Sequence, residues 1–276
     1  MKKPLTLAFL FIFLAILIED VIVAGEGMTA IFIVSDQIVP PGERVFIQVK
    51  IKETGIFFSS PISGERVEFL INGVSIGASL SGGDGVASRE FIPKKEGIYK
   101  VVIRFSGKSR YNAEEREMIL ACWEKGRSII LIKTDTLMDR DKEAGDLRGP
   151  APGAVEVVEK LFKKYKIILF TFEKDEGLLK RREWLWKHSF PVVPLLYLGS
   201  EDIDDEVGSL AGHGWKVRFG VGDNNKEVMA FARARVLPII IASDESDKKE
   251  DLPSAAKRVK DWREIEGIIL GSLKGS

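Results

Sequence analysis

Three apolar stretches of the chain end in residues able to do chemistry. Ser128–Ile132 runs into Lys133-Thr134-Asp135-Thr136, Lys166–Phe170 runs into Thr171, and Lys216–Val221 runs into Gly222-Asp223, with Glu227 on the next turn. A buried strand that delivers charged or hydroxyl-bearing residues at its carboxyl end is where open α/β sheets place their ligand sites. Each group also has a plainer reading. Asp135 and Thr136 could cap a turn, Asp223 with Asn224-Asn225 could open the following helix as its N-cap, Thr171 could be an ordinary strand residue, and Lys133 could point to solvent.

The elements that must hold these residues alternate. Apolar, β-branched runs predict strands at Ser128–Lys133, Lys166–Phe172, Val192–Leu198, Lys216–Val221 and Pro238–Ala242. Between them lie predicted helices at Pro152–Tyr165, Gly177–His188, Glu201–Ala211 and Asn225–Arg235, with one or two more in Pro253–Leu273. In the first helix Val155, Val158, Leu161 and Phe162 share one side, and Lys160, Lys163 and Lys164 near its end suit the helix dipole. Strands alternating with helices imply a parallel sheet with right-handed crossovers.

This half of the chain resembles the haloacid dehalogenase-like (HAD) phosphohydrolase superfamily, whose first motif is a hydrophobic strand followed by Asp-x-Asp-x-Thr/Val. Asp135 matches the second Asp, and Lys133 stands where the family has its nucleophile. Thr171 matches the second motif, and Gly222-Asp223 with Glu227 matches the fourth. The resemblance implies that Asp135 is a general acid, that Thr171 holds a phosphoryl oxygen, and that Asp223 and Glu227 could bind Mg²⁺, a hard cation that prefers carboxylate oxygen. Two departures count against activity. The family's third-motif lysine has only Lys180 and Lys216 as candidates, and an ammonium at 133 can neither attack phosphorus nor ligate a metal. Opposite unit charges about 4 Å apart attract by roughly 4 kcal/mol at an effective dielectric near 20. The expectation is that Lys133 pairs internally with Asp223, Glu227 or both, which makes the domain a pseudophosphatase.

Upstream, residues 28–122 read as all-β. Alternating segments at Ala30–Val34, Arg44–Ile51, Arg66–Ile71, Ala87–Ile92 and Ile98–Phe105 are separated by Pro40-Pro41-Gly42, Asn72-Gly73, Gly82-Gly83-Asp84-Gly85 and Pro93–Gly97. Short strands with such turns predict a β-sandwich. Pro41-Gly42, Val67–Gly73, Asp84–Ala87, Gly97–Val101 and Tyr111-Asn112-Ala113 are similar to the Ig-like repeats of bacterial and archaeal surface proteins, which implies a spacer or binding module. Trp123–Arg127 reads as a polar link. The expected fold is therefore two domains: an all-β Ig-like sandwich over 28–122, then a HAD-like, Rossmann-like parallel three-layer α/β sandwich over 126–276.

Formal net charge is +0, and no basic stripe interleaves with aromatics, which argues against nucleic acid. A single cysteine, Cys122, allows neither an internal disulfide nor a cysteine metal cluster, and His188 and His213 are too few for a His-rich site. At the start, Lys2-Lys3, the apolar run Leu5–Ile18 and Ile22-Val23-Ala24-Gly25 make residues 1–25 a signal peptide or, if uncleaved, a membrane anchor. The expected protein is exported or anchored at the envelope. Its Ig-like module binds or scaffolds an unknown envelope or surface partner, and its α/β domain is inactive. The alternatives are a Mg²⁺-dependent phosphohydrolase that uses Asp135, and a surface structural or adhesion protein.

Overall fold

The computed structural model describes residues 28–54, 60–139, 148–199, 202–241 and 252–272. The N-terminal export segment and the charge run Asp244–Asp251 lie outside the described residues.

Two sheets form the first half. One has the order β6-β3-β1-β8, built from β1 (Met28–Val34), β3 (Val45–Glu53), β6 (Val86–Phe91) and β8 (Tyr111–Asn112). The other has the order β2-β9-β7-β4-β5, built from β2 (Gln37–Val39), β4 (Arg66–Ile71), β5 (Val74–Leu80), β7 (Gly97–Phe105) and β9 (Arg116–Cys122). Successive strand residues face opposite ways. Ile47, Val49 and Ile51 of β3 therefore turn inward while Phe46, Gln48 and Lys50 face out. They meet Phe32, Val67, Phe69, Val101, Ile103, Met118 and Leu120 in one core. Asn72 and Gly73 both have positive φ, which two-residue hairpin turns require, and they join β4 to β5. Strands β2, β5 and β9 add to the alternating segments seen in the sequence. β5 is polar and half-exposed, whereas β9 is a continuous buried run because both its faces are covered.

The second half is a six-stranded sheet, parallel throughout, with the order β12-β11-β10-β13-β14-β15. Its strands are β10 (Ser128–Lys133), β11 (Lys166–Thr171), β12 (Leu195–Tyr197), β13 (Lys216–Gly222), β14 (Leu237–Ile241) and β15 (Lys257–Val259). The last is a correction: Pro253–Leu273 holds a short strand and one helix, because Lys257-Arg258-Val259 extends the sheet at its edge. A 3-10 turn at Thr134–Leu137 follows β10. The helices are α1 (Ala154–Phe162), α2 (Glu176–Lys187), α3 (Ile203–Gly212), α4 (Asn225–Arg233) and α5 (Trp262–Gly271). Ile130 and Ile132 pack with Val157, Leu161, Leu178, Leu185, Ile265 and Ile269 of α1, α2 and α5. Ile129 and Leu131, on the other face, pack with Val207, Leu210, Ala230 and Phe231 of α3 and α4. The order reverses between β10 and β13, so the carboxyl ends of those two strands flank the switch point.

The halves share a core. Trp123 is buried and packs edge-on against Trp215 at 6.5 Å between ring centroids. The Trp215 indole N–H donates to the carbonyls of Trp123 and Glu124. The segment Trp123–Arg127 is thus no mere polar link, because its first residue is part of the α/β core. Asp36, between β1 and β2, is buried and accepts hydrogen bonds from the backbone N–H of Ile119 in β9 and of Leu195 in β12, both at 2.7 Å. Arg182 of α2, also buried, pairs with it at 2.8 Å. Burial pushes the Asp36 carboxyl above the usual aspartate range, against the pull of Arg182 and the two backbone donors.

Candidate functional site

Lys133 ends β10 beside the end of β13, where Ile132 is paired with Val221. Its side chain is nearly closed off from water, and its ammonium donates to Asp223 Oδ1 at 2.8 Å and to Glu227 Oε1 at 2.5 Å. The Phe172 ring lies 4.9 Å from Nζ and covers the cation from the β11 side. Burial alone lowers the pKa of this lysine, but the two hydrogen-bonded carboxylates more than reverse that, so it sits above the ordinary lysine value and stays charged.

The carboxylates are held by the start of α4. Asn224 is the N-cap, and its side chain accepts from the Glu227 N–H at 3.1 Å. Glu227 reaches back: Oε2 accepts from the Asp223 N–H at 3.0 Å, and Oε1 accepts from the Asn224 amide at 2.6 Å. This reciprocal arrangement satisfies orphan donors of the first turn. It works only because residue 222 is glycine, since a Cβ there would meet Glu227 Oε2 at 2.5 Å. The alternative reading of Asp223 with Asn224-Asn225 as the N-cap is met by Asn224. Asp223 instead spends its carboxylate on Lys133.

The structure thus brings together three of the residues singled out by sequence, Lys133, Asp223 and Glu227. Asp135 lies apart from them. It sits in the 3-10 turn, half-buried, and accepts from Arg181 of α2 at 2.8 Å. The turn itself is pinned by Thr136, whose hydroxyl donates to the Lys133 carbonyl, and by Trp262, whose indole N–H donates to the Thr136 carbonyl. Thr171 is fully buried at the end of β11, and its hydroxyl accepts from the Glu173 N–H at 3.2 Å. Lys180 lines a cleft beside Asp135, whereas Lys216 begins β13. Lys216 is thus roughly 20 Å along the strand from Asp223, too far to serve the same site. His213 is exposed and stacks on Trp215, and His188 packs on Trp184.

Arg181 and Arg182, which pair with Asp135 and Asp36, are the side chains that sequence reasoning missed. A signal for Arg182 was present: Leu178, Arg182 and Leu185 have the spacing of one helix face, so an arginine stood on the apolar stripe of α2. Nothing local marked Asp36, its partner.

Mg²⁺ does not fit the acidic pair in this arrangement. The oxygens it would need face the Lys133 ammonium, and among the described residues no three His, Cys, Asp or Glu side chains come together as a metal site.

No protein-family model matches the chain, and no curated protein matches its sequence. Among solved structures it is similar to the fibronectin(III)-like modules of Clostridium thermocellum CbhA, with 13% identity over 35% of this chain and 98% of that one, at a TM-score of 0.24. It is also similar to invasin, a bacterial integrin-binding protein, with 18% identity over 40% of this chain and 23% of that one, at a TM-score of 0.25. A third likeness is to domains 4 and 5 of the S-layer protein SbsC, with 13% identity over 34% of this chain and 50% of that one, at a TM-score of 0.22. At these scores none identifies a relative. Among the described residues no helix is long and apolar enough to cross a membrane.

Proposed function

We propose that this is an exported envelope protein with a binding or scaffolding role, whose α/β unit carries out no phosphoryl transfer. The observation that carries the reading is the position of the Lys133 ammonium, within 2.8 Å of both Asp223 and Glu227. A fixed positive charge fills the place where a phosphohydrolase of the resembling type would hold its metal, and lysine offers no nucleophilic oxygen. Two charges about 3 Å apart at an effective dielectric near 20 attract by roughly 5 kcal/mol, before the cost of desolvating them. Export rests on the Lys2-Lys3 and Leu5–Ile18 pattern alone. The sandwich is the natural partner-binding module of this reading, and it packs on the α/β unit through the core around Trp123 and the hydrogen bond from Leu195 to Asp36.

The enzyme alternative needs Asp135 to face Asp223. Asp135 pairs with Arg181 instead, which speaks for the inactive reading. The test is Mg²⁺-dependent hydrolysis of an aryl phosphate by the full chain, wild type beside Lys133→Asp, with Mg²⁺ binding followed by calorimetry. Wild type is expected to be silent and to bind no Mg²⁺, and the variant to bind it. Wild-type turnover that disappears in Asp135→Asn would overturn the proposal.

A further inference from the structure

A cleft of about 300 Å³ opens beside the 3-10 turn, and its charges are unbalanced. Asp135 and Glu173 face into it, and both are held by the single Arg181 guanidinium, at 2.8 and 2.7 Å. Two further cations, Arg148 and Lys180, line the same space. Among the described residues neither has a carboxylate partner, so the lining carries one positive charge more than it can neutralise. Arg148 Nε is buried and has no hydrogen-bond partner among the described residues. Arginine cannot shed its proton in a protein, and a buried charged donor left unpaired is costly.

The position of Arg148 is built. Its carbonyl accepts from the Trp184 indole N–H at 2.7 Å. On one side Gly149 accepts from the Asp139 N–H at 2.9 Å, and next to it Ala151 donates to the Leu137 carbonyl at 2.7 Å. Residues 149–151 are therefore tied to the segment that ends the 3-10 turn, and the Arg148 guanidinium is carried into the cleft on fixed backbone. Trp184 and Met138 supply an apolar wall.

We propose that this cleft binds a small organic oxyanion, a carboxylate or phosphate group on an apolar body, gripped by Arg148 and Lys180 and backed by Trp184 and Met138. The planar fork of an arginine matches either oxyanion. The volume is at the low end for small-molecule sites, which sets the size of the ligand. The inference goes beyond the preceding reading and does not depend on it, because an anion can bind here whether or not the α/β unit turns anything over.

The experiment is calorimetric titration of the full chain with phenyl phosphate, with benzoate and with neutral benzamide. Saturable binding of phenyl phosphate or benzoate but not benzamide is expected, weakened about tenfold in Arg148→Gln and in Lys180→Gln, the loss of one charged hydrogen bond. Lys216→Gln, at the opposite, amino end of β13, is the unaffected control. Phenyl phosphate alone would mark a phosphate ester as the ligand class, and benzoate alone a carboxylate. The proposal is overturned if neither anion binds, or if binding survives unchanged in Lys180→Gln, a variant that leaves the fold intact even should Arg148→Gln misfold.

Discussion

Two buried ionic clusters are built on opposite principles. At Asp36 one carboxylate meets one guanidinium and two backbone N–H groups that belong to different sheets, and these bonds fasten the sandwich to the α/β unit. At Lys133 one ammonium meets two carboxylates from a single turn, and Glu227 also accepts from the Asp223 N–H and the Asn224 side-chain amide. The first joins units far apart in sequence and the second freezes one loop. The first cluster spans the two halves, whereas the second lies at the sheet's switch point, where open α/β sheets place their ligand sites.

The contrast can be broken in order of effect. Asp36→Ala leaves the Arg182 guanidinium buried and unpaired and orphans two N–H groups; truncating one member of a buried pair costs about 3–5 kcal/mol. Denaturant melts followed by tryptophan fluorescence should show that loss. A pH series sharpens it. The Asp36 carboxyl is raised by burial, so the folded state holds its proton more firmly than the unfolded chain does, and its contribution is present in acid and lost as pH rises through the raised value. The stability gap between wild type and Asp36→Asn should therefore shift in favour of wild type on moving from neutrality toward acid, and a pH-independent gap would contradict this.

Lys133→Met should cost somewhat less, about 3 kcal/mol at neutral pH, because Glu227, whose carboxyl burial pushes up, can take up a proton. Its pH dependence is the diagnostic. The raised pKa of Lys133 keeps its contribution intact until pH climbs past the ordinary lysine range, whereas the Met variant should regain stability as pH falls and Glu227 protonates. Smallest is Gly222→Ala. The added methyl displaces Glu227 rather than any backbone, for an expected loss of about 1–3 kcal/mol. A thermal melt of the variant equal to wild type would mean the Glu227 side chain moves aside freely.

Much of this was legible where residue type and period agreed. The strands at Ser128–Lys133, Lys166–Thr171 and Lys216–Gly222 are β-branched runs, and the grouping of Lys133, Asp223 and Glu227 follows from their shared position at adjacent strand ends. What stayed hidden depends on tertiary context. β15 is three residues, two of them charged, and forms only because β14 offers an edge. β9 carries no alternation because both its faces are buried. Asp36 looks like any loop aspartate, since its partners are 83, 146 and 159 residues away.

The bond from the Leu195 N–H to Asp36 has a consequence for solubility. β12 is the outermost strand of a parallel sheet, and an open outer strand is a template on which other chains can pair and aggregate. The sandwich blocks it with a side chain in place of a neighbouring strand. Because that sandwich lies upstream, it is synthesised before β12 emerges, and the blocking carboxylate stands ready when the strand first needs cover. A chain cut at the junction would lose more than a domain, since its α/β half would expose a pairing edge that the whole protein never presents.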